Sequence, residues 1–254
     1  MFMKIIKKIK KAIIKFVYSR YMKKFLKLRE ISDVELKTHH FFKDLENDVY
    51  DREDFILNIS KGKNVLHFGF LDSPFLAQKI KDKNLLHCKI KEVALSLHGI
   101  DINSRDLEEY RLITGDSENS IFDVSKNDIN IDSYCQKYDL IILGEVLEHI
   151  ENPGLALRNI RRICRKNEGC EVCVTVPNAF SANGQAAACL GIEAVHPGHY
   201  FYFSPFTIKK LLEDTGFKDI QLYMYSNPNS IASPGITKSG IIAVARKRNL
   251  WAKI

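Results

Sequence analysis

Short apolar runs, most of them ending in a turn or acidic residue and followed by a helically patterned segment, constrain this chain more than any other feature. The runs are KNVLHFG (63–69), LSLHGIDI (95–102), NSIFDV (119–124), YDLIILG (138–144), EVCVTVP (171–177), DIQLYMYS (219–226) and SGIIAVARK (239–247). An apolar run of this length bounded by Gly, Pro or Asp reads as a strand buried on both faces. The segments 74–95, 104–112, 153–164 and 204–217 read as helices, and a polar helical segment, 33–60, precedes the first run. The last of these helices opens on Ser204 as N-cap and closes on Gly216, both proper boundary signals. Strand–helix alternation predicts an α/β fold, a doubly wound and mostly parallel seven-stranded sheet with helices on both faces.

Bulk properties narrow the class. A chain of 254 residues, 45% of them hydrophobic, supports one full core or at most two small ones. The six cysteines are scattered through it, as in a reduced, cytoplasmic protein. Cys170 and Cys173 form a CxxC pair inside a strand pattern, which turns them to opposite faces. No second pair completes four ligands, so no metal is expected. The charge is uneven: residues 1–29 hold nine Lys and two Arg without an acid, so a net charge of +7 leaves the rest of the chain at −4. The body is therefore not a nucleic-acid binder by charge. Residues 1–30 repeat Ile5, Ile9, Ile13 and Phe16 at helical spacing, with lysines between them. Such a helix packs on the domain or lies on an anionic membrane surface, with a nucleic-acid arm as a third option. No run reaches 18 apolar residues, so no membrane span is expected.

Open α/β sheets bind ligands beyond the carboxyl ends of their strands, and the residues there are chemically pointed. The first strand ends at Gly69 and Phe70, where a glycine lets backbone approach a ligand. The second ends at Asp101 and Ile102, an acid able to accept from ribose hydroxyls. The third ends at Asp123 and Val124, suited to an exocyclic amine and an apolar ring. The fourth ends at Gly144 and Glu145, a carboxylate suited to a cation, and the fifth at Pro177 and Asn178.

Two blocks carry a family resemblance: YDLIILGEVLEHIENPGLALRNIRRICRKNEGCEVCVTVPN and HPGHYFYFSPFTIKKLLEDTGF. The chain resembles the class I S-adenosylmethionine-dependent methyltransferases over about residues 64–247. The resemblance implies a Rossmann-like sheet with an antiparallel last strand and S-adenosylmethionine as cofactor, at Gly69, Phe70, Asp72, Asp101, Ile102, Asp123, Val124, Gly144 and Glu145. It departs from the family in the first loop, usually D-x-G-x-G-x-G. Here His67 replaces the acid and only Gly69 survives, with Asp72 as a substitute carboxylate. A branch of the family has such a single-glycine loop followed by a Leu-His pair like Leu86-His87.

The chemistry is in-line methyl transfer, in which positioning is worth about 7–11 kcal/mol. A hydroxyl acceptor also needs a base. Residues 178–203 form a long segment of small and then aromatic residues, read as an acceptor wall or lid. His199, ahead of His196, is the candidate base, and Glu145 faces the sulfonium end. His149 is read as a structural hydrogen-bonder at the turn, and Phe201, Tyr202 and Phe203 as core. The basic head and the family likeness favour O-methylation of a sugar or surface-glycan precursor at the inner membrane face. A quinone-like acceptor and a non-catalytic scaffold are the alternatives. A nicotinamide enzyme is excluded by the missing G-x-G-x-x-G.

Overall fold

The computed structural model describes residues 49–127, 131–134, 138–167, 169–227 and 235–247. They belong to the unit Asp44–Ile254. The basic head and the first part of segment 33–60 lie outside the described residues.

In chain order the elements are β1 (Val49–Tyr50), α1 (Arg52–Ser60), β2 (Asn64–Phe68), α2 (Leu76–Lys81), α3 (Leu86–Val93), β3 (Ser96–Asp101), α4 (Ser104–Thr114) and β4 (Asn119–Ile121). There follow β5 (Leu140–Gly144), α5 (Pro153–Ile163), β6 (Glu171–Pro177), α6 (Ala182–Ala188), α7 (Pro205–Asp214), β7 (Phe217–Tyr225) and β8 (Gly240–Lys247). They form one sheet in the order β1-β7-β8-β6-β5-β2-β3-β4. All pairings are parallel except those of β8, which runs antiparallel to both β6 and β7. The seven expected strands are thus present with the expected reversed last strand, and β1 adds a two-residue pairing to the edge of β7.

The burial explains why the central strands were legible. Leu140 to Leu143 on β5 and Val172 to Val176 on β6 are solvent-free on both faces, as strands covered by helices must be. Helix starts are satisfied by side chains: Asn152 accepts from Leu155 N–H before Pro153, and Ser204 forms a capping box with Thr207.

Two elements differ from expectation. Segment 74–95 is two helices, because Lys83 adopts a left-handed φ of 53° and Asn84 N–H turns back to Lys79 O at 2.7 Å. The β4 strand stops at Ile121, because Asp123 Oδ1 accepts from Ser125 N–H and Oγ–H and bends the chain into a turn.

β2 has β3 on one side and β5 on the other, both parallel. The strand order reverses there, so the crevice for a ligand opens between the loops after β2 and β5.

Candidate active site

The loop after β2 is shaped by a close approach. Gly69 has φ 67°, and a Cβ there would lie 2.5 Å from Val146 Cγ2 in the loop after β5. Asp101, at the end of β3, ties this loop down: its Oδ2 accepts from Leu71 N–H at 3.2 Å, and its Oδ1 from Ile102 N–H at 2.7 Å and Asn103 N–H at 3.1 Å. Ile102 is 69% exposed despite its size, an apolar surface at the crevice edge. Asp123 is held by Ser125 and faces Lys126 Nζ at 3.7 Å. Val124 is buried, and its carbonyl accepts from Asn159 Nδ2.

At the end of β5, Glu145 sits at φ 57°, a left-handed conformation that costs a non-glycine residue of order 1–3 kcal/mol. What holds it there is a network from three other elements. Thr175 Oγ1 on β6 and Tyr225 OH on β7 each donate to Glu145 Oε1 at 2.8 Å. Arg52 Nε on α1 donates to Thr175 Oγ1 at 3.0 Å and lies 3.9 Å from Glu145 Oε1. Gly144 leaves room for this guanidinium, since a Cβ would meet Arg52 at 2.7 Å. Glu148, one turn later, is fully buried, and neither carboxylate oxygen has a hydrogen-bond partner. Burial first, and the charge of Glu145 second, raise its pKa to about 8.

Segment 178–203 is pinned to this turn. Tyr200 N–H donates to Glu148 O at 2.8 Å, and His149 Nδ1 contacts Gly198 O at 3.1 Å. The carbonyl only accepts, so that nitrogen carries the proton. The result is a cluster of imidazoles: His199 lies 4.5 Å from His149 and 5.0 Å from His196, ring centre to ring centre. Burial, then the two neighbouring rings, lower the pKa of His199. The outer surface of the segment is apolar and exposed at Leu190, Ile192 and Tyr200.

A second imidazole pair lies behind the first loop. His67 Nδ1 and His87 Nδ1 are 3.2 Å apart, both rings buried. Phe70 packs tilted on His87 at 4.1 Å and edge-to-face with Tyr110 at 5.2 Å.

The crevice therefore brings together Gly69, Asp101, Ile102, Gly144, Glu145 and His199, while other candidates turn elsewhere. The Phe70 side chain is core, leaving only its backbone for a ligand. Asp72, at φ 54°, is ion-paired with Lys79. Tyr202 and Phe201 are exposed at 40%, not core as expected, whereas Phe203 is buried. Cys170 and Cys173 are free and buried. Sequence reasoning missed Arg52, Thr175 and Tyr225, which bear on Glu145 from afar. It also missed the imidazole cluster, whose only local signal is the spacing of His196 and His199.

Comparison with known proteins agrees with this geometry. A family model described as a methyltransferase domain matches residues 50–222. The fold is similar to a SAM-dependent methyltransferase of Archaeoglobus fulgidus, at 16% identity and TM-score 0.51, over 76% of this chain and 90% of that one. A SAM-dependent methyltransferase of Thermotoga maritima is similar at 12% identity and TM-score 0.53, over 92% and 99%. The CurJ carbon methyltransferase is similar at 15% identity and TM-score 0.50, over 75% of this chain and 50% of that one. No curated protein matches the sequence.

Proposed function

The chain belongs to the methyltransferase-domain family and is an S-adenosylmethionine-dependent enzyme, and we propose that it O-methylates a sugar or surface-glycan precursor. The observation that carries this reading is the seating of His199 against the turn that holds Glu145, at the crevice where strand order reverses. An oxygen acceptor is the kind that needs a base there.

The crevice fits the cofactor. Gly69 lets the loop after β2 close against Val146 beside β5, Asp101 offers a carboxylate at the end of β3, and Ile102 presents an uncovered apolar surface for a ring. Bound S-adenosylmethionine supplies a methyl group on a cationic sulfur, which retains the bonding pair when the methyl passes to oxygen. The chain's own part is to hold, shield and take a proton. Glu145, fixed by two hydrogen-bond donors and the nearby Arg52 guanidinium, sets a negative charge beside the site of that cation. His199, half-buried against the turn, accepts the hydroxyl proton of the acceptor, which passes to solvent beside exposed His196.

The acceptor class is argued from the surface. The exposed apolar residues of 190–202 and the eleven basic residues of 1–29 suit an acceptor carried on a lipid at an anionic membrane face. Among the described residues no helix is long and apolar enough to cross a membrane.

The test is thermal unfolding of the full chain with and without S-adenosylmethionine. Ligand at 100 times its dissociation constant adds about 2.7 kcal/mol, several degrees for a domain of this size. The Asp101→Ala variant should lose the shift. Labelled methyl transfer to lipid-linked glycan extracts, and not to quinones, then tests the acceptor. No shift at millimolar ligand would make the chain a non-catalytic scaffold.

A further inference from the structure

We propose that His149, His196 and His199 form a binding site for one divalent transition-metal ion, with an open position toward the methyl acceptor. Their ligand nitrogens all lie within 4.8 Å of one another. A tetrahedral zinc–imidazole set has bonds of about 2.0–2.1 Å, which puts its nitrogens about 3.3 Å apart. The three rings therefore need a closure of at most about 1.5 Å to reach it, and His149 and His196 are exposed enough to rotate.

Each ring is prepared differently. The Nδ1–H of His149 is engaged by Gly198 O at 3.1 Å, leaving the Nε2 lone pair free. A histidine whose other nitrogen donates to a backbone carbonyl is the usual orientation of a metal ligand. His196 keeps its lone pair on Nδ1, where it accepts from Gly198 N–H at 3.1 Å; coordination exchanges that contact for a metal bond. His199 Nδ1 is buried with no partner at all. Such an orphan costs on the order of 1–3 kcal/mol, and an ion would satisfy it. Gly198 is what lets the rings meet, because a Cβ there would lie 3.2 Å from His149 Nδ1 and 3.3 Å from His196 Nδ1.

Charge favours a cation. Glu145 acts on His199 beside the turn that carries His149. Three neutral imidazoles select zinc, cobalt or nickel over magnesium or calcium, which prefer oxygen ligands. Three protein ligands and one open position is the arrangement of catalytic rather than structural zinc. The use of the ion rests on the methyl-transfer reading above. An acceptor hydroxyl bound at the open position would have its pKa lowered. Its O–H bond would break with the proton going to water, and its oxygen would then bond to the methyl group as the methyl–sulfur bond of S-adenosylmethionine breaks, sulfur keeping the pair. His199 would act there as a ligand in place of a base. Ion binding itself does not depend on that reading.

The experiment uses the full chain, stripped with a chelator and titrated with cobalt(II) as a spectroscopic probe. Tetrahedral d–d absorption that saturates at one ion per chain, and is displaced by zinc, is expected. His149→Ala and His196→Ala should each weaken binding about 10-fold or more. His98→Ala, outside the cluster, should not. Near-ultraviolet circular dichroism confirms that the variants fold. Absent saturation, or binding unchanged in a His149→Ala/His196→Ala double variant, overturns the site. The cofactor-induced thermal shift is read on the same samples. A shift without cobalt binding defeats the ion and leaves methyl transfer standing. Cobalt binding without the shift upholds the ion and defeats methyl transfer.

Discussion

Acidification should destabilise this protein through two buried histidines. His67 is wholly buried, and burial, with the nearby Arg52 charge second, lowers its pKa from 6.5 to about 3. His87 is lowered well below 6.5 by burial, then by His67, and also by Lys91 and His98, with only Asp116 opposing. Both are neutral when folded and titrate normally when unfolded. As pH falls below 6.5 the unfolded state takes up protons the native state refuses, so stability falls down to about pH 3. Each such histidine removes about 1.4 kcal/mol per pH unit. Against stabilities of about 5–15 kcal/mol, the pair is a large destabilising contribution within two or three units. Glu148 works the other way: its raised folded pKa of about 8 makes the native state gain protons between pH 8 and 4.5. The informative quantity is therefore a difference between variants. Urea unfolding of the wild type and of His67→Leu, measured with a chelator at pH 7.5, 6.5, 5.5 and 5.0, should differ in slope by about 1.4 kcal/mol per unit below 6.5. At pH 7.5 the variant should be weaker by about 1–3 kcal/mol, since His87 loses its partner. Parallel slopes would refute the buried neutral pair.

Tyr225→Phe removes one of the donors to Glu145 Oε1; a hydrogen bond to a charged group is worth about 1.5–3 kcal/mol. Urea stability should fall by that order and kcat should drop, and an unchanged kcat would release Glu145 from its assigned role. Gly69→Ala places a Cβ 2.5 Å from Val146 at a φ of +67°. It should lower Tm and abolish the S-adenosylmethionine shift, and a retained shift would remove Gly69 from the cofactor site. Deleting residues 1–29 should eliminate binding to anionic vesicles while leaving the circular dichroism of the folded domain intact, and undiminished sedimentation with vesicles would defeat the membrane reading.

What the sequence discloses is what is local. β5 and β6 were legible because strands buried on both faces must be apolar throughout, and helices α5 and α7 because Asn152 and Ser204 accept from their first amides in place and Pro153 has no amide to satisfy. The break at Lys83 was not legible, because no Gly or Pro marks that left-handed turn. Strand-end acids were found by position, yet their partners were not: Arg52 and Thr175 are 123 residues apart in the chain, and Tyr225 reads as an ordinary strand residue. His149 was read as a hydrogen-bonder at a turn, and it is one. Its partner Gly198 is 49 residues away, and that long reach is what draws it into a cluster no local pattern announces.

The unusual first loop shows the same limit from the other side. Read alone, His67 in place of an acid suggests a damaged cofactor loop with Asp72 as its repair. The structure couples His67 instead to His87, 20 residues on, at 3.2 Å, while Asp72 is committed to Lys79. Histidine at 67 and histidine at 87 are thus one feature in two places. Phe70 seals it by packing on His87, and Gly99 makes the room, since a Cβ there would lie 2.6 Å from Phe70 and 2.9 Å from His87. The departure at His67 is matched by the residues around it, as an intact alternative would be and an eroded one would not.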